Sequence, residues 1–259
     1  LFNSGNNYVG LGGLAPAQLG NPQLTWEEAE TLNFGADIGL LEDRIYLTAE
    51  YYIKDNNELL QNLPLVGSSG FLGVQTNIGS IRNQGLELGI NTINISKNDL
   101  RWTTNLNLTF NKNEVTTLSG APFASGFASW VEQGQALGSF RGFRVDRIIN
   151  TAEELATAQA QGQTAAALGD ILFKDLNGDG ALTSADQEIL GSAQPDFFGG
   201  LTNTVTYKGF DLSVFMRFSY GNYIYNNTRA FSEGMNGVFG QTDGVLRRWT
   251  PTNTNTDVP

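Results

Sequence analysis

The stretch LRWTTNLNLTFN, from Leu100 to Asn111, alternates between apolar and polar residues almost without interruption. One face carries Leu100, Trp102, Leu106, Leu108 and Phe110, and Thr104 is the single polar residue among them. A period of two predicts a strand with one apolar face and one polar face. About eleven residues at roughly 3.4 Å each, tilted near 45°, cover about 25 Å, which is the height of the apolar band of an outer-membrane barrel.

The same alternation recurs in five further segments, at 32–40, 45–54, 86–91, 201–208 and 210–220. Two residues depart from it, because Asn203 interrupts an apolar face and Phe215 lies on a polar one. Short turns at 41–44, 96–99 and 208–209 join the six strands into three hairpins. The connections between hairpins are long, at about 56–77 and 112–196. Short turns at one end and long loops at the other are typical of bacterial barrels, whereas a soluble sandwich spreads its turns more evenly.

The predicted fold class is therefore all-β. We expect part of a large antiparallel transmembrane β-barrel, built of up-and-down hairpins with short periplasmic turns, long extracellular loops and short helices in those loops. Residues 1–259 form one partial barrel domain in this interpretation, and 112–196 form a long extracellular excursion. Within that excursion, residues 151–161 predict a helix that begins at a capping box formed by Thr151 and Glu154.

Composition excludes several classes of function. The net charge of −11 and the isoelectric point near 4.4 argue against a nucleic-acid partner, which requires a basic surface. The chain has no cysteine and no histidine, and so lacks thiol chemistry, disulfides and the commonest general base. We therefore expect no enzymatic activity and assign no catalytic residue. No apolar run approaches eighteen residues, so no transmembrane helix is predicted.

One motif carries recognisable chemistry, the segment DLNGDGALTSAD at 175–186. It fits the calcium-loop pattern, with oxygen donors at its first, third and fifth positions, glycine at the sixth and an acid at the twelfth. The predicted ligands are the side chains of Asp175, Asn177, Asp179 and Asp186, the carbonyl of Ala181, and Thr183 directly or through water. Ser184 and Gln187 predict a helix that starts as the loop closes. The alternative is an aspartate- and asparagine-rich turn that happens to match.

A series of short motifs resembles those of SusC/RagA-type TonB-dependent outer-membrane transporters. They occur in the expected order as NPQLTWE at 21–27, NIGSIRNQGLE at 77–87, DLNGDG at 175–180, PDF at 195–197, YKGFDL at 207–212, SYGN at 219–222, RWTP at 248–251 and NTDVP at 255–259. The resemblance implies the C-terminal barrel region of such a transporter, without the plug, the first barrel strands and the closing strands.

The resemblance also implies a function. Such proteins lie in the outer membrane of Bacteroidota-like bacteria and contact its lipid. They import glycan or peptide fragments, are energised through TonB, which would contact an N-terminal region, and carry a SusD-like surface lipoprotein as a lid. The family assigns no ligand-binding residue that can be placed on this sequence. Ca²⁺ is the one cofactor predicted, in a structural role.

Two other functions compete with this one. A secreted, calcium-stiffened β-sandwich that binds or cleaves polysaccharide would pack two apolar faces against each other, whereas a barrel turns all of them outward. A narrower receptor for iron chelates would share the barrel. The presence of a lipoprotein partner separates it from an importer of glycans or peptides.

Overall fold

The computed structural model describes residues 19–71, 73–235 and 238–259, and the backbone alone of 2–8 and 11–16. Within these residues there are sixteen strands and two α-helices. The strands are β1 Phe2–Tyr8, β2 Leu11–Pro16, β3 Glu28–Leu40, β4 Ile45–Asn57, β5 Leu60–Pro64, β6 Gly73–Asn77, β7 Gly79–Lys97, β8 Leu100–Leu118, β9 Phe123–Ser125, β10 Ser129–Val131, β11 Ser139–Phe143, β12 Val145–Ile148, β13 Ile171–Phe173, β14 Gln187–Ser192, β15 Phe197–Tyr207 and β16 Phe210–Tyr220. The helices are α1 Ala152–Ala160 and α2 Asn227–Ser232, and short 3₁₀ turns lie at Gly67–Ser69, Ser184–Asp186 and Asp243–Arg247.

The chain divides into two compact units. The first, which we call the sheet unit, comprises Leu1–Ser125, Trp130–Gly138 and Gln194–Asn222. The second, which we call the loop unit, comprises Gly126–Ser129, Ser139–Ala193 and Tyr223–Pro259. None of the helices in the described part of the chain is long and apolar enough to cross a membrane.

The sheet unit is built on six antiparallel strands in the order β16-β15-β8-β7-β4-β3. The three predicted hairpins are present, and their turns carry positive φ angles, as tight hairpin turns require. Asn98 has φ of 52° and Lys208 has φ of 46°, for example. Strand β8 pairs directly with β15, so no further strand of this sheet comes from the residues between them.

Apolar residues align across the sheet in rows. One row crosses all six strands through Ile38, Leu47, Ile90, Leu106, Leu201 and Met216. Aromatic residues flank such aliphatic rows at both ends of the strands. Trp102, Tyr207 and Phe210 lie towards the short turns, and Phe34, Tyr51, Phe110, Phe197 and Tyr220 lie towards the other end. Aromatic girdles around an aliphatic band about 25 Å tall are the outer surface of a membrane barrel.

This apolar face is uncovered. Phe34 is 63% exposed, Leu212 is 62% exposed and Ile38 is 48% exposed. A sandwich would bury such side chains beneath a second sheet, and the described residues stack no second layer on them. The face is therefore that of a barrel wall, as the alternation predicts.

The central strands extend beyond the apolar band. Above the last apolar row, Glu30, Asp55, Arg82 and Glu114 occupy paired positions on the same face. Arg82 Nε donates to Asp55 Oδ1 at 2.7 Å and its Nη2 donates to Asp55 Oδ2 at 2.8 Å. A bidentate ion pair belongs in a wet environment rather than in hydrocarbon. The apolar band therefore ends at this row, while β7 and β8 continue past it.

The loop unit has a small core of its own. Strand β11 pairs with β14, and β12 pairs with β13. Helix α1 places Ala158 against Ile149 and Leu172, all of them buried. The predicted capping box is confirmed, since Glu154 N donates to Thr151 Oγ1 at 3.2 Å and Thr151 N donates to Glu154 Oε2 at 3.1 Å.

The helix predicted to start at Ser184 and Gln187 is wrong. A cap does form, because Thr183 accepts from Ala185 N and Asp186 turns back to the Thr183 backbone. Only the single 3₁₀ turn Ser184–Asp186 follows it. Gln187–Ser192 continues as β14 and pairs with β11, so pairing with a distant strand overrides the local start signal.

Candidate functional site

The polar face of the six-stranded sheet presents rows of mostly hydrophilic residues. One row runs through Asp37, Thr48, Gly89, Asn107, Gly200 and Arg217, and its neighbour runs through Gly35, Glu50, Glu87, Thr109, Phe198 and Ser219. Because successive side chains of a strand point to opposite faces, each of these rows alternates with rows whose side chains lie on the apolar face. The sheet is thus amphipathic over its whole width.

Hydrogen bonds between neighbouring strands order this polar face. Tyr52 Oη donates to Asn111 Oδ1 at 2.7 Å across β4 and β8, and the Tyr52 ring covers Gly85, which lies between them. Asn113 Nδ2 donates to Asn83 Oδ1 at 2.8 Å further along. Amides and hydroxyls held in this way form a wetted wall that can exchange hydrogen bonds with a passing solute.

The charges on this face are sparse and mixed. Glu50 lies directly opposite Glu87, and Asp37 lies one row away on β3. Arg217 on β16 is in the same row as Asp37. Like charges directly opposite each other are tolerated only where water screens them. A dry core on this side of the sheet is excluded.

Phe215, which like Phe198 is an apolar residue on the polar face, has a structural reason. A Cβ added to Gly200 would lie 3.0 Å from the Phe215 ring, so the ring occupies the space that the glycine leaves open. On the opposite face the Phe218 ring covers Gly199 in the same manner, at 2.8 Å from the position of a Cβ. Aromatic rings that cover sheet glycines restore packing that the glycine cannot provide.

The polar residues that interrupt the apolar face near the short turns are neighbours. Thr104 and Asn203 occupy paired positions, and Thr104 Oγ1 donates to Asn203 Oδ1 at 2.7 Å. Trp102 Nε1 donates to the same oxygen at 3.0 Å, and Asn94 Nδ2 donates to Thr104 Oγ1 at 2.7 Å. Thr92 Oγ1 donates to Asn94 Oδ1 at 2.8 Å and completes this set, which we call the polar inlay. Hydrogen bonds among its members lower the cost of placing polar groups against hydrocarbon.

The calcium-type loop follows β13 in the loop unit. Asp175 Oδ1 accepts from Gly178 N at 2.7 Å and its Oδ2 accepts from Gly180 N at 2.8 Å. Asn177 Oδ1 accepts from Asp179 N at 2.9 Å, and Asp179 Oδ1 accepts from Ala181 N at 2.8 Å. Gly178 and Gly180, with φ of 74° and 80°, provide the left-handed positions that this winding needs.

Asp186 closes the loop on itself. This buried carboxylate accepts from Leu176 N at 3.0 Å through Oδ1 and from Thr183 N at 2.8 Å through Oδ2. The bond from the Thr183 N–H contributes most to lowering the pKa of Asp186 below its ordinary value, and the N–H groups of Asn177 and Leu176 add to it. The side chain at the twelfth position of the motif thereby binds the backbone N–H groups of the second and third positions.

The predicted ligands are therefore on one closed loop, but their carboxylates are not gathered around one point. In the described residues, no three Asp or Glu side chains form a group that could hold a metal ion by themselves. Thr183 serves as the cap of the 3₁₀ turn.

A contact that the sequence did not predict ties the chain end of the loop unit to its core. Trp249 Nε1 donates to Asn150 Oδ1 at 2.7 Å, and the Trp249 ring lies where a Cβ of Gly169 would be, at 2.6 Å. Asn253 Nδ2 donates to the carbonyls of Arg247 and Arg248 and closes the turn that carries Trp249. The string RWTP was visible in the sequence, but its partners lie about a hundred residues away and leave no local signal.

Comparisons with known proteins agree with this geometry. The family described as TonB dependent receptor-like, beta-barrel matches residues 2–179. TonB-dependent receptor P3 of Formosa agariphila is 34% identical over 96% of this chain and 26% of its own length. TonB-dependent receptor SusC of Bacteroides thetaiotaomicron is 31% identical over 79% of this chain and 20% of its own length. The chain thus spans about a quarter of the length of such curated relatives.

The fold has a solved counterpart. A structure of the RagAB peptide transporter superposes with a TM-score of 0.82 at 24% identity, and the match covers 100% of this chain and 28% of the other. The six-stranded wall, its uncovered apolar face and the family match lead to one conclusion. The chain belongs to the TonB-dependent receptor-like β-barrel family, and it is similar in sequence to SusC and in fold to the barrel of the RagAB structure.

Proposed function

We propose that this chain forms part of the wall and outer loops of an outer-membrane importer for glycan or peptide fragments. Import is driven through TonB, and a SusD-like surface lipoprotein covers the outer mouth. The observation that carries the proposal is the amphipathic sheet: an apolar band between aromatic girdles on one face, and hydrated amides, hydroxyls and mixed charges on the other.

Membership of the family supports the finer parts of this proposal. The solved counterpart is a peptide transporter, and the Bacteroides relative is a TonB-dependent receptor named SusC. A wall that offers neutral hydrogen-bonding groups and few charges suits hydrophilic cargo of either class. Transport and binding, rather than chemical conversion of the cargo, are the activities of such a protein.

The two faces are tested with neighbouring residues of β8 in the full-length transporter. Leu106→Arg places a cation in the middle of the apolar band and is expected to cost about 2–4 kcal/mol and to reduce assembled barrel in the outer membrane. Asn107→Arg places the same cation on the polar face and leaves assembly intact. Heat-modifiable migration of the barrel on gels measures both. Equal loss in the two variants would contradict the assignment of the faces.

Import is tested in the native bacterium. Deletion of the full gene is expected to abolish uptake of a labelled oligosaccharide or peptide pool, and loss of TonB should have the same effect. Copurification with a surface lipoprotein separates this importer from an iron-chelate receptor of the same fold. Uptake that survives the deletion, or a transporter whose deletion affects only iron-chelate uptake, would refute the proposal.

We further propose that the loop at 175–186 binds Ca²⁺ as a structural ion. Two features support this: the side-chain donors at positions 1, 3, 5 and 12 are all oxygen atoms, and Asp186 closes the loop. The carboxylate oxygens of Asp175 each accept one N–H and keep a lone pair for a cation. Binding would draw the side chains inward at the expense of some of these bonds, and aspartate at position 12 reaches less far than glutamate. Both points imply weak affinity, suited to millimolar extracellular calcium.

Limited proteolysis of the full-length protein tests the ion. Calcium is expected to slow cleavage within 170–190, and Asp179→Ala should abolish that protection. Asp170→Ala is the matched control, because Asp170 accepts from Ala167 N in a separate turn of the same unit. Cleavage that responds neither to chelation nor to Asp179→Ala would show that the motif is only a turn.

A further inference from the structure

The calcium-type loop contains a dipeptide with a reactivity of its own, Asn177-Gly178. Because glycine has no Cβ, no side chain shields the peptide nitrogen of Gly178. That nitrogen can attack the side-chain carbonyl carbon of the preceding asparagine and close a five-membered ring. Both residues are exposed, so water reaches them. Neither import nor cation binding uses this reactivity.

The shape of the loop brings the two reacting groups together. Asn177 Oδ1 accepts from Asp179 N at 2.9 Å, and this Asx turn folds the Asn177 side chain back over the peptide that follows it. Two groups held side by side react without the entropic cost of an encounter. Proximity alone would therefore make Asn177 labile.

Hydrogen bonds of the same loop oppose the attack. The Gly178 N–H donates to Asp175 Oδ1 at 2.7 Å, and the nitrogen must lose this proton in order to attack. A carboxylate is far too weak a base to remove it, and its negative charge disfavours a nitrogen that is becoming an anion. Asn177 Nδ2 also donates to Asp179 Oδ2 at 2.9 Å. Both polar atoms of the Asn177 side chain are thus held, and the amide cannot turn towards the nitrogen without breaking these bonds.

Opening of the loop therefore sets the rate of the reaction. Asp175 Oδ2 accepts from Gly180 N at 2.8 Å, so one carboxylate holds the backbone of both glycines of the motif. Local opening of a folded protein has an equilibrium constant of its own. A reaction that takes place only in the open loop is slowed by the small fraction of molecules in which the loop is open.

We propose that Asn177 is a site of spontaneous covalent modification, and that the Asp175 carboxylate controls its rate. The Gly178 nitrogen forms a bond to Cγ of Asn177 as the bond from Cγ to Nδ2 breaks. The proton lost by the Gly178 nitrogen is returned through solvent to the departing amide group, which leaves as ammonia. Water then opens the succinimide at either carbonyl and gives an aspartyl or an isoaspartyl residue at position 177.

Both products weaken the loop. The aspartyl product has no Nδ2 donor, and it places a second carboxylate against Asp179 where a hydrogen bond of 2.9 Å is now made. The isoaspartyl product adds a methylene to the main chain before Gly178, inside the winding that Asp175 holds. The modification therefore marks, irreversibly, the molecules whose loop has opened.

Peptide mapping by mass spectrometry tests the site in the full-length protein, and it resolves position 177 from the other Asn-Gly, at 236–237. Calcium-free buffer keeps the test independent of the proposed ion. The same protein kept unfolded in urea is expected to convert Asn177 on the order of tenfold or more faster than the folded protein. No conversion in the unfolded protein would refute the site, and equal rates in the two states would refute protection by the loop.

Variants of Asp175 test the control. Asp175→Ala removes both acceptors and should raise the rate in the folded protein on the order of tenfold. Asp170→Ala is the matched control, because Asp170 accepts from Ala167 N in a separate turn of the same unit, and it should leave the rate unchanged. Rates in Asp175→Ala equal to those in Asp170→Ala would overturn the role of this carboxylate.

A second variant separates local control from unfolding of the whole unit. Asp175→Asn keeps the size of the side chain but loses its charge and one acceptor. It should also raise the rate, while the amide of Leu172, in the buried core of the loop unit, keeps its protection from hydrogen exchange. A rate that rises only together with loss of Leu172 protection would show that the fold of the unit, and not Asp175, controls the reaction.

Discussion

At the scale of single residues, Asp186 determines the shape of its surroundings. It carries a negative charge in a buried position and holds the first and last parts of the 175–186 loop together through backbone N–H groups. The N–H bond from Thr183 is the main cause of its lowered pKa. A lowered pKa means that the ionised carboxylate stabilises the folded loop at every pH above its ordinary value of 3.8. That stabilisation is lost as the pH falls through the lowered pKa.

The pH dependence can be measured by hydrogen exchange of the full-length protein in calcium-free buffer. Amides of Leu176 and Thr183 are expected to stay protected from pH 7 to about pH 4 and to lose protection below it, after correction for intrinsic rates. Asp186→Asn cannot ionise and should lose protection already at pH 7, with no further change on acidification. Asp170→Asn should behave like the wild type. Protection in Asp186→Asn that follows the wild-type pH profile would refute this account.

At the scale of strands, the polar inlay predicts coupling between β8 and β15. Thr104→Val and Asn203→Leu each leave hydrogen-bonding groups of the partner strand without an acceptor or donor in an apolar environment. Removing both together avoids part of that loss. The double variant should therefore be more stable than the sum of the single variants, by about 0.5–3 kcal/mol.

The folded fraction of the full-length barrel across a urea series measures this coupling. Thr103→Val with Asn203→Leu is the control pair, because Thr103 points to the opposite face and pairs with Thr204. Its effects should add within about 0.5 kcal/mol. If the changes in stability of Thr104→Val and Asn203→Leu also add, the polar groups of the inlay act independently of one another.

Strands also show what alternation can predict. The hairpins at 32–54, 86–111 and 201–220 were predicted because one face of each meets an apolar environment and the other meets water. Strand β7 begins at Gly79 and β8 ends at Leu118, well beyond the predicted limits of 86 and 111. The face that is apolar in the band is polar there, as the Asp55–Arg82 pair shows, and Val115 is buried on the opposite face. The apolar–polar alternation of the band therefore does not continue into these ends of the strands.

The loop unit was less predictable because its contacts join distant parts of the chain. The capping box of α1 is local and was found from Thr151 and Glu154. The contacts of Trp249 with Asn150 and of Tyr225 with Phe127 join distant parts of the chain, and composition gives no hint of them. The calcium ligands could be named from spacing alone, whereas the closure of the loop by Asp186 required coordinates.

At the scale of the whole molecule, the uncovered apolar face governs behaviour in water. Residues such as Phe34 and Leu212 are more than half exposed, and β3 and β16 are the edges of the sheet among the described strands. This chain expressed alone is expected to aggregate in plain buffer through that face and those edges. Sedimentation should show it dispersed only in detergent. A monodisperse soluble monomer would contradict the membrane-facing assignment.

The direct pairing of β8 with β15 determines how much the length of the connection between them matters for stability. Closing a flexible connection becomes only about 0.6 kcal/mol more costly with each doubling of its length. Shortening the connection at 119–196 to one eighth of its length would therefore stabilise the pairing of β8 with β15 by only about 2 kcal/mol. Strand pairing is thus nearly indifferent to what is inserted between these two strands. A segment of quite different length between β8 and β15 would therefore leave this part of the wall nearly as stable.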